Sequence, residues 1–148
     1  MKLKETCKIH VPRKLVWTAT IEIDRWPQWT PTVQTVERID EGPLRVGSEA
    51  FLKQPGMPKS RWRVTSLDAG RRFAWETRMR GMRIVATHEL ADCEAGTRNT
   101  LIVEMQGVAT WLLAPLIWFS ARKNLKTENA ALKRFCESQA AGSGRTTN

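Results

Sequence analysis

Few side chains in this 148-residue chain can move a proton near neutral pH, and those few are scattered. There are two imidazoles, His10 and His88, three thiols, Cys7, Cys93 and Cys136, and no tyrosine, so tyrosine-based acid chemistry is excluded. His88 takes an inward position in an alternating stretch at 82–92, where an imidazole can serve as general acid or base; the same position suits a structural histidine satisfied by its neighbours. Glu5, Glu104 and Glu128 are the alternative carboxylates, and Glu5 and Glu128 fall on or beside apolar faces. No Ser-His-Asp or Cys-His pairing has local support, and there is no glycine-rich phosphate loop. Two histidines without HExxH spacing do not compose a conventional metal centre, and three distant cysteines without a CxxC pair read as buried or incidental thiols. Neither a metal nor a cofactor is expected.

The elements that must position these groups follow from periodicity. Lys2 to His10 alternates as a half-buried strand, with Glu5 the exception on its apolar side. Pro12 to about Ile21 predicts a short helix, and a second short turn starts at Asp24 as N-cap and ends near Trp29-Thr30-Pro31. Turn signals at Glu41-Gly42-Pro43, Pro55-Gly56-Met57-Pro58, Asp68-Ala69-Gly70, Arg80-Gly81 and Glu94-Ala95-Gly96 then cut out six strands. These lie at about 32–40, 46–54, 60–67, 71–79, 82–92 and 97–107, and connections this short favour an antiparallel meander. A last helix spans about 110–138, starting or kinking at Pro115, with an apolar stripe at helical spacing.

The expected fold is therefore α+β: a seven-stranded curved antiparallel sheet, two short helices after the first strand, and a long C-terminal helix against the concave face. Residues 1–139 form the domain and 140–148 a disordered tail. The N-terminus has no apolar h-region, and the run Val108 to Phe119 is well short of the roughly 20 residues that span a bilayer. A cytoplasmic location is the expectation.

At this point the chain resembles the START-related (SRPBCC) superfamily, in its polyketide cyclase/dehydrase and lipid-transport branch. The resemblance is carried by Ile9-His10-Val11-Pro12, Val16-Trp17, and Asp24 to Pro31 around Trp26-Pro27-Gln28-Trp29, with Val33 and Val36 after it. Further matches are Val46-Gly47, Trp62-Arg63-Val64, Phe73-Ala74-Trp75, Gly96-Thr97 and Leu132 to Glu137. It implies a helix-grip fold around a hydrophobic cavity and the binding of an apolar ligand, without deciding chemistry.

Strand alternation then nominates the lining. Phe51, Trp62 and Val64 point inward, as do Phe73, Trp75, Thr77 and Met79. Ile84, Ala86 and His88 follow on the next strand, Val103 and Met105 on the last, and Ile117, Ala121 and Leu125 on the helix. These residues suit a small-molecule site, and packed core is the competing account of each ring.

The remaining feature is charge. There are 24 Lys and Arg against 15 Asp and Glu, a net +9, and Lys59 to Arg83 alone holds eight basic residues against Asp68 and Glu76. Those arginines fall on the outward alternation, which reads as a solvated convex face, with an anionic membrane surface as a possible partner. Nucleic acid is disfavoured because the rings alternate inward and leave no stacking platform. The stretch Trp111 to Phe119 is more apolar than one helix face can bury, so part of it covers the cavity mouth or touches a membrane. The leading expectation is a carrier or sensor of a hydrophobic, lipid- or polyketide-like small molecule. The alternative is a cofactor-independent cyclase or dehydratase in which His88 supplies acid/base help, and the third is basic-surface binding. Nothing in the sequence specifies an oligomeric state.

Overall fold

Strand β1 (Lys2–Ile9) turns Lys2, Lys4, Thr6 and Lys8 outward and Leu3, Glu5, Cys7 and Ile9 toward the interior. Its partner is the last strand, β7 (Gly96–Gly107), rather than its neighbour in sequence. Between them come β2 (Thr35–Arg38), β3 (Glu49–Lys53), β4 (Ser60–Asp68), β5 (Arg72–Met79) and β6 (Met82–Cys93). In the computed structural model, which describes residues 1–144, all seven strands join one antiparallel sheet in the order β1-β7-β6-β5-β4-β3-β2. Helix α1 (Arg13–Ile21), a 3₁₀ turn (Ile23–Arg25) and helix α2 (Trp26–Trp29) carry the chain from one sheet edge to the other. Helix α3 (Val108–Leu112) and the 30-residue α4 (Ala114–Ser143) close the fold, with α4 packed along β1 and β7. This is the helix-grip arrangement.

The differences from expectation have local causes. β2 and β3 are shorter than 32–40 and 46–54 because Asp40 organises the chain between them. Its carboxylate accepts from the Glu49 N–H at 2.8 Å, the Ser48 hydroxyl at 2.9 Å and Arg38 at 3.0 Å. The Glu49 N–H holds the Asp40 carboxyl down to about 2. Asp24 does not cap a helix: it lies inside the 3₁₀ turn, and neither that turn nor α2 has a side-chain cap.

The single helix expected from about 110 is two helices. Gly107, at φ +124°, releases the chain from β7 and starts α3 at Val108. Leu113 breaks the path, and Pro115 sits in the first turn of α4, where its missing N–H costs nothing. At the other end α4 runs on through Ala140 to Ser143, since two alanines favour continuation over the tail expected there. The rest of that tail, residues 145–148, lies outside the described residues.

Two buried clusters result. One fills the concave face around Trp26, Phe73, Trp75 and Leu101; the other packs α1 and the end of α4 around Ile9, Val16, Leu90 and Leu132. On the convex face Arg61, Arg63, Arg72 and Arg78 are exposed. Much of this charge is matched on the sheet itself: Arg61 pairs with Glu49, Arg72 with Glu89 at 3.4 Å, and both Arg78 and Arg83 with Glu76. Exposed pairs of this kind contribute about 0–1 kcal/mol each, so their effect is on surface charge more than on stability.

Candidate ligand cavity

Between α4, which packs along β1 and β7, and the inner face of the neighbouring strands a space is left. It is a cavity of about 330 Å³. One wall is the sheet, where cross-strand register stacks Ile84 beside Met105, Ala86 beside Val103 and His88 beside Leu101. The other wall is the inward stripe of α4, Ile117, Ala121, Leu125 and Glu128, which extends over about 16 Å at the helical rise. Trp62 and Trp75 form the floor, and Trp26 of α2 closes one end.

The rings of Trp62 and Trp26 present carbon to this space. Trp62 Nε1 donates to Ser60 Oγ at 3.0 Å, and Trp26 Nε1 donates to the Thr20 carbonyl at 3.2 Å. Both indole N–H groups are thereby satisfied inside the protein, leaving apolar faces in contact with one another. Trp75 lies 5.1 Å from Trp62 and 5.2 Å from Trp26, centroid to centroid.

Two of the polar lining groups, His88 and Glu128, meet at the closed end, while Gln54, Ser120 and Asn124 also line the space. His88 stacks on Phe73, with centroids 5.5 Å apart, and its Nδ1 is buried with no hydrogen-bond partner among the described residues. Its Nε2 stands 3.8 Å from Glu128 Oε1, beyond hydrogen-bond range. Thr32 Oγ1 donates a long 3.4 Å contact to Glu128 Oε2. Burial disfavours charge on both groups, lowering His88 to about 4 and raising Glu128 to about 7. Between those values both side chains are neutral, so the contact is not a salt bridge. An imidazole able to accept a proton then stands beside a carboxylic acid able to donate one. Elsewhere burial pushes the Cys136 thiol up to about 12 and the Cys7 thiol upward too, which leaves both inert as nucleophiles. No three His, Cys, Asp or Glu side chains converge on a metal position among the described residues.

Ten of the expected positions line this space: Trp62, Trp75, Ile84, Ala86, His88, Val103, Met105, Ile117, Ala121 and Leu125. Five do not. Phe51 lies opposite Arg61 on the outer face, with the Lys59 ammonium 5.3 Å from its ring centroid, while Ala50 and Leu52 turn inward. Alternation within that strand tolerated either face, and only the β3–β4 register decides it. Val64 and Phe73 are buried beneath the lining, and Thr77 turns its hydroxyl to the Arg61 carbonyl at 2.7 Å. Met79 sits past the rim at the β5–β6 hairpin, where Met82 lines the cavity instead.

The positions missed come largely from outside the alternating strands: Val33, Met57 and, above all, Trp26. Glu128 was legible as a carboxylate beside an apolar face. Its spacing from Ala121, Leu125 and Leu132 places it on the inward stripe. Of the other carboxylates, Glu5 meets Arg122 of α4 at 3.5 Å and Glu104 meets Lys2 at 3.2 Å, and neither reaches the cavity.

Residues 1–137 match the family model described as polyketide cyclase / dehydrase and lipid transport. The chain belongs to that family. A search of curated proteins finds no match. Among solved structures, the Zhui aromatase/cyclase from Streptomyces sp. R1128 superposes with a TM-score of 0.76 at 15% identity, over 95% of each chain. A protein from Thermus thermophilus gives 0.77 at 15% identity, over 94% of this chain and 99% of the other. The di-domain aromatase/cyclase StfQ of the steffimycin biosynthetic pathway gives 0.77 at 12% identity over 95% of this chain, which spans 51% of that larger protein. At such identities the likeness is one of fold. The fold of a polyketide cyclase/dehydrase family member, with an apolar cavity under the long helix, is thus what frames His88 and Glu128.

Proposed function

We propose that this family member binds a hydrophobic small molecule in the cavity under α4, as carrier or sensor, with a polar end group of the ligand placed against His88 and Glu128. The observation that supports it most is the cavity itself: about 330 Å³ of space lined mainly by carbon, with His88 and Glu128 among its few polar groups. The volume is at the lower end for small-molecule sites, which favours a compact ring system or short chain. The test is titration of the purified chain with an apolar fluorescent probe, alongside native mass spectrometry for co-purified ligand. Saturable one-to-one binding is expected, and Ala121→Trp, which fills the space, should abolish it. No binding by the parent, or binding untouched by Ala121→Trp, sinks the proposal.

A second reading is favoured by the pairing of a neutral imidazole with a neutral carboxylic acid near pH 6. In a β-hydroxy carbonyl compound, His88 would take the proton from the α-carbon while Glu128 protonates the departing hydroxyl, which leaves as water as the carbon–carbon double bond forms. For a polyketide-like substrate of this kind, His88→Ala and Glu128→Gln should each remove turnover while the apolar probe still binds. Turnover unchanged in both variants eliminates the enzymatic role.

A further inference from the structure

We propose that α3 and the first turns of α4 form a docking surface for an anionic phospholipid bilayer, with the cavity mouth facing the lipid. Trp111 is 84% exposed, and Val108, Leu112, Leu116 and Phe119 are each exposed by more than two thirds. These side chains are contiguous along two short stretches of helix. A patch of this kind on a single chain marks a contact surface.

Charge selects the occupant. From Met105 to Thr127 there is no Asp or Glu. Leu116, Phe119, Lys123 and Lys126 share one face of α4 at helical spacing, so the apolar ridge continues directly into cations. On its other flank is the tip of the β5–β6 hairpin, because Gly107, the residue before α3, lies against the carbonyl of Gly81. The hairpin brings Arg80, which is exposed. Arg80, Lys123 and Lys126 take part in no ion pair among the described residues. An apolar ridge with tryptophan on it and free cations on both sides matches the headgroup and acyl boundary of an anionic membrane. A second copy of this chain fits less well, since a two-fold contact through the ridge would bring the same cations together. No helix is long and apolar enough to cross the bilayer among the described residues, so the ridge lies on its surface.

The cavity joins this surface. Leu116 belongs to both, being 69% exposed and lining the cavity, and Ile117 beside it turns inward. A ligand leaving past Leu116 would therefore enter lipid without crossing water.

The test is co-sedimentation of the full chain with vesicles of phosphatidylcholine alone and of phosphatidylcholine doped with phosphatidylglycerol, at low and high salt. Partition onto the anionic vesicles should be stronger by about tenfold or more and weaken with salt. Trp111→Ser with Phe119→Ser should lower partition on both membranes, and Arg80→Glu with Lys123→Glu should erase the anionic preference. All four side chains are exposed or at the surface, so circular dichroism should show intact folds. Absent partition, or partition indifferent to the aromatic pair, overturns the proposal. So does a monomer–dimer equilibrium that the same aromatic pair abolishes, which would assign the ridge to self-association. The measurement needs no cavity ligand: Ala121→Trp should bind vesicles as the parent does, and failure here leaves the cavity reading standing.

Discussion

The two ends of the cavity share one sheet and one helix, yet each inverts the ordinary rule of apolar inside and polar outside. At the closed end, His88 is buried against Trp26 and Phe73, and Glu128, largely buried beside it, is met only by the long Thr32 contact among the described residues. At the mouth, Trp111, Leu112 and Leu116 face solvent. Both arrangements work against folding: burial of an unmatched polar group costs free energy, and an exposed Leu gains nothing from the fold. What differs is the surrounding structure. The closed end is locked by a cluster of rings in edge and tilted contact, whereas the mouth hangs on the five-residue α3 and the first turns of α4, joined at Leu113. The difference teaches that the closed end can keep fixed geometry for recognition, while the mouth can yield.

The largest consequence concerns what holds the closed end. Phe73 is fully buried and touches Trp26, Trp75 and His88. Phe73→Ala should cost about 3–5 kcal/mol in urea unfolding, through lost transfer free energy and the void left under the cavity floor. A cost below about 1 kcal/mol would mean that the ring cluster collapses around the gap and that the closed end is as yielding as the mouth.

This contrast bears on what could be read from the residues alone. Strand faces in β4, β5 and β7 were legible because Trp62, Trp75 and Met105 have charged or polar neighbours and one side of each strand has to be buried, whereas β6 was less secure because Val85 makes its other face tolerable too. The face of β3 was not legible, since Ala50, Phe51 and Leu52 are all apolar and only pairing with β4 turns Phe51 outward. Trp26 belongs to a four-residue helix, too short to show a period, so its place in the cavity depends on how the chain crosses between sheet edges. Its motif marked the family without marking the site. The buried meeting of His88 and Glu128 joins residues 40 positions apart, through the packing of α4 on the sheet, and no local spacing encodes that.

The next effect in size separates the two buried groups by pH. Glu128 is raised in the fold from 4.5 to about 7, so the folded state holds its proton more tightly than the unfolded chain. Its contribution is fully present below about pH 4.5 and is lost as pH rises through 7. His88 is lowered from 6.5 to about 4, so its contribution is present above 6.5 and is lost as pH falls through 4. In the parent these slopes oppose each other across the window they share, and stability should be nearly flat there. His88→Gln should leave the Glu128 slope exposed, with stability falling by roughly 2–3 kcal/mol as pH rises from 4.5 to 7. Glu128→Gln should reverse the sign, with stability rising between pH 4 and 6.5. Chemical denaturation across that range checks both, and slopes of the same sign in the two variants would break the assignment of opposite shifts.

The smallest effect belongs to the mouth, and its smallness is informative. Leu112 is exposed, so replacing it with Ser removes little that folding had buried. Leu112→Ser should shift unfolding free energy by no more than about 0.5 kcal/mol, in contrast with the Phe73 variant. Ile117, a few residues on, is half-buried and lines the cavity, and Ile117→Ala should cost measurably more. The pair tests where the fold ends and an outward-facing surface begins. If Leu112→Ser destabilised the chain as much as Ile117→Ala, the α3 ridge would be part of the packed core and unavailable to any partner. If it leaves stability untouched, the apolar side chains there are retained for contact with something outside the fold.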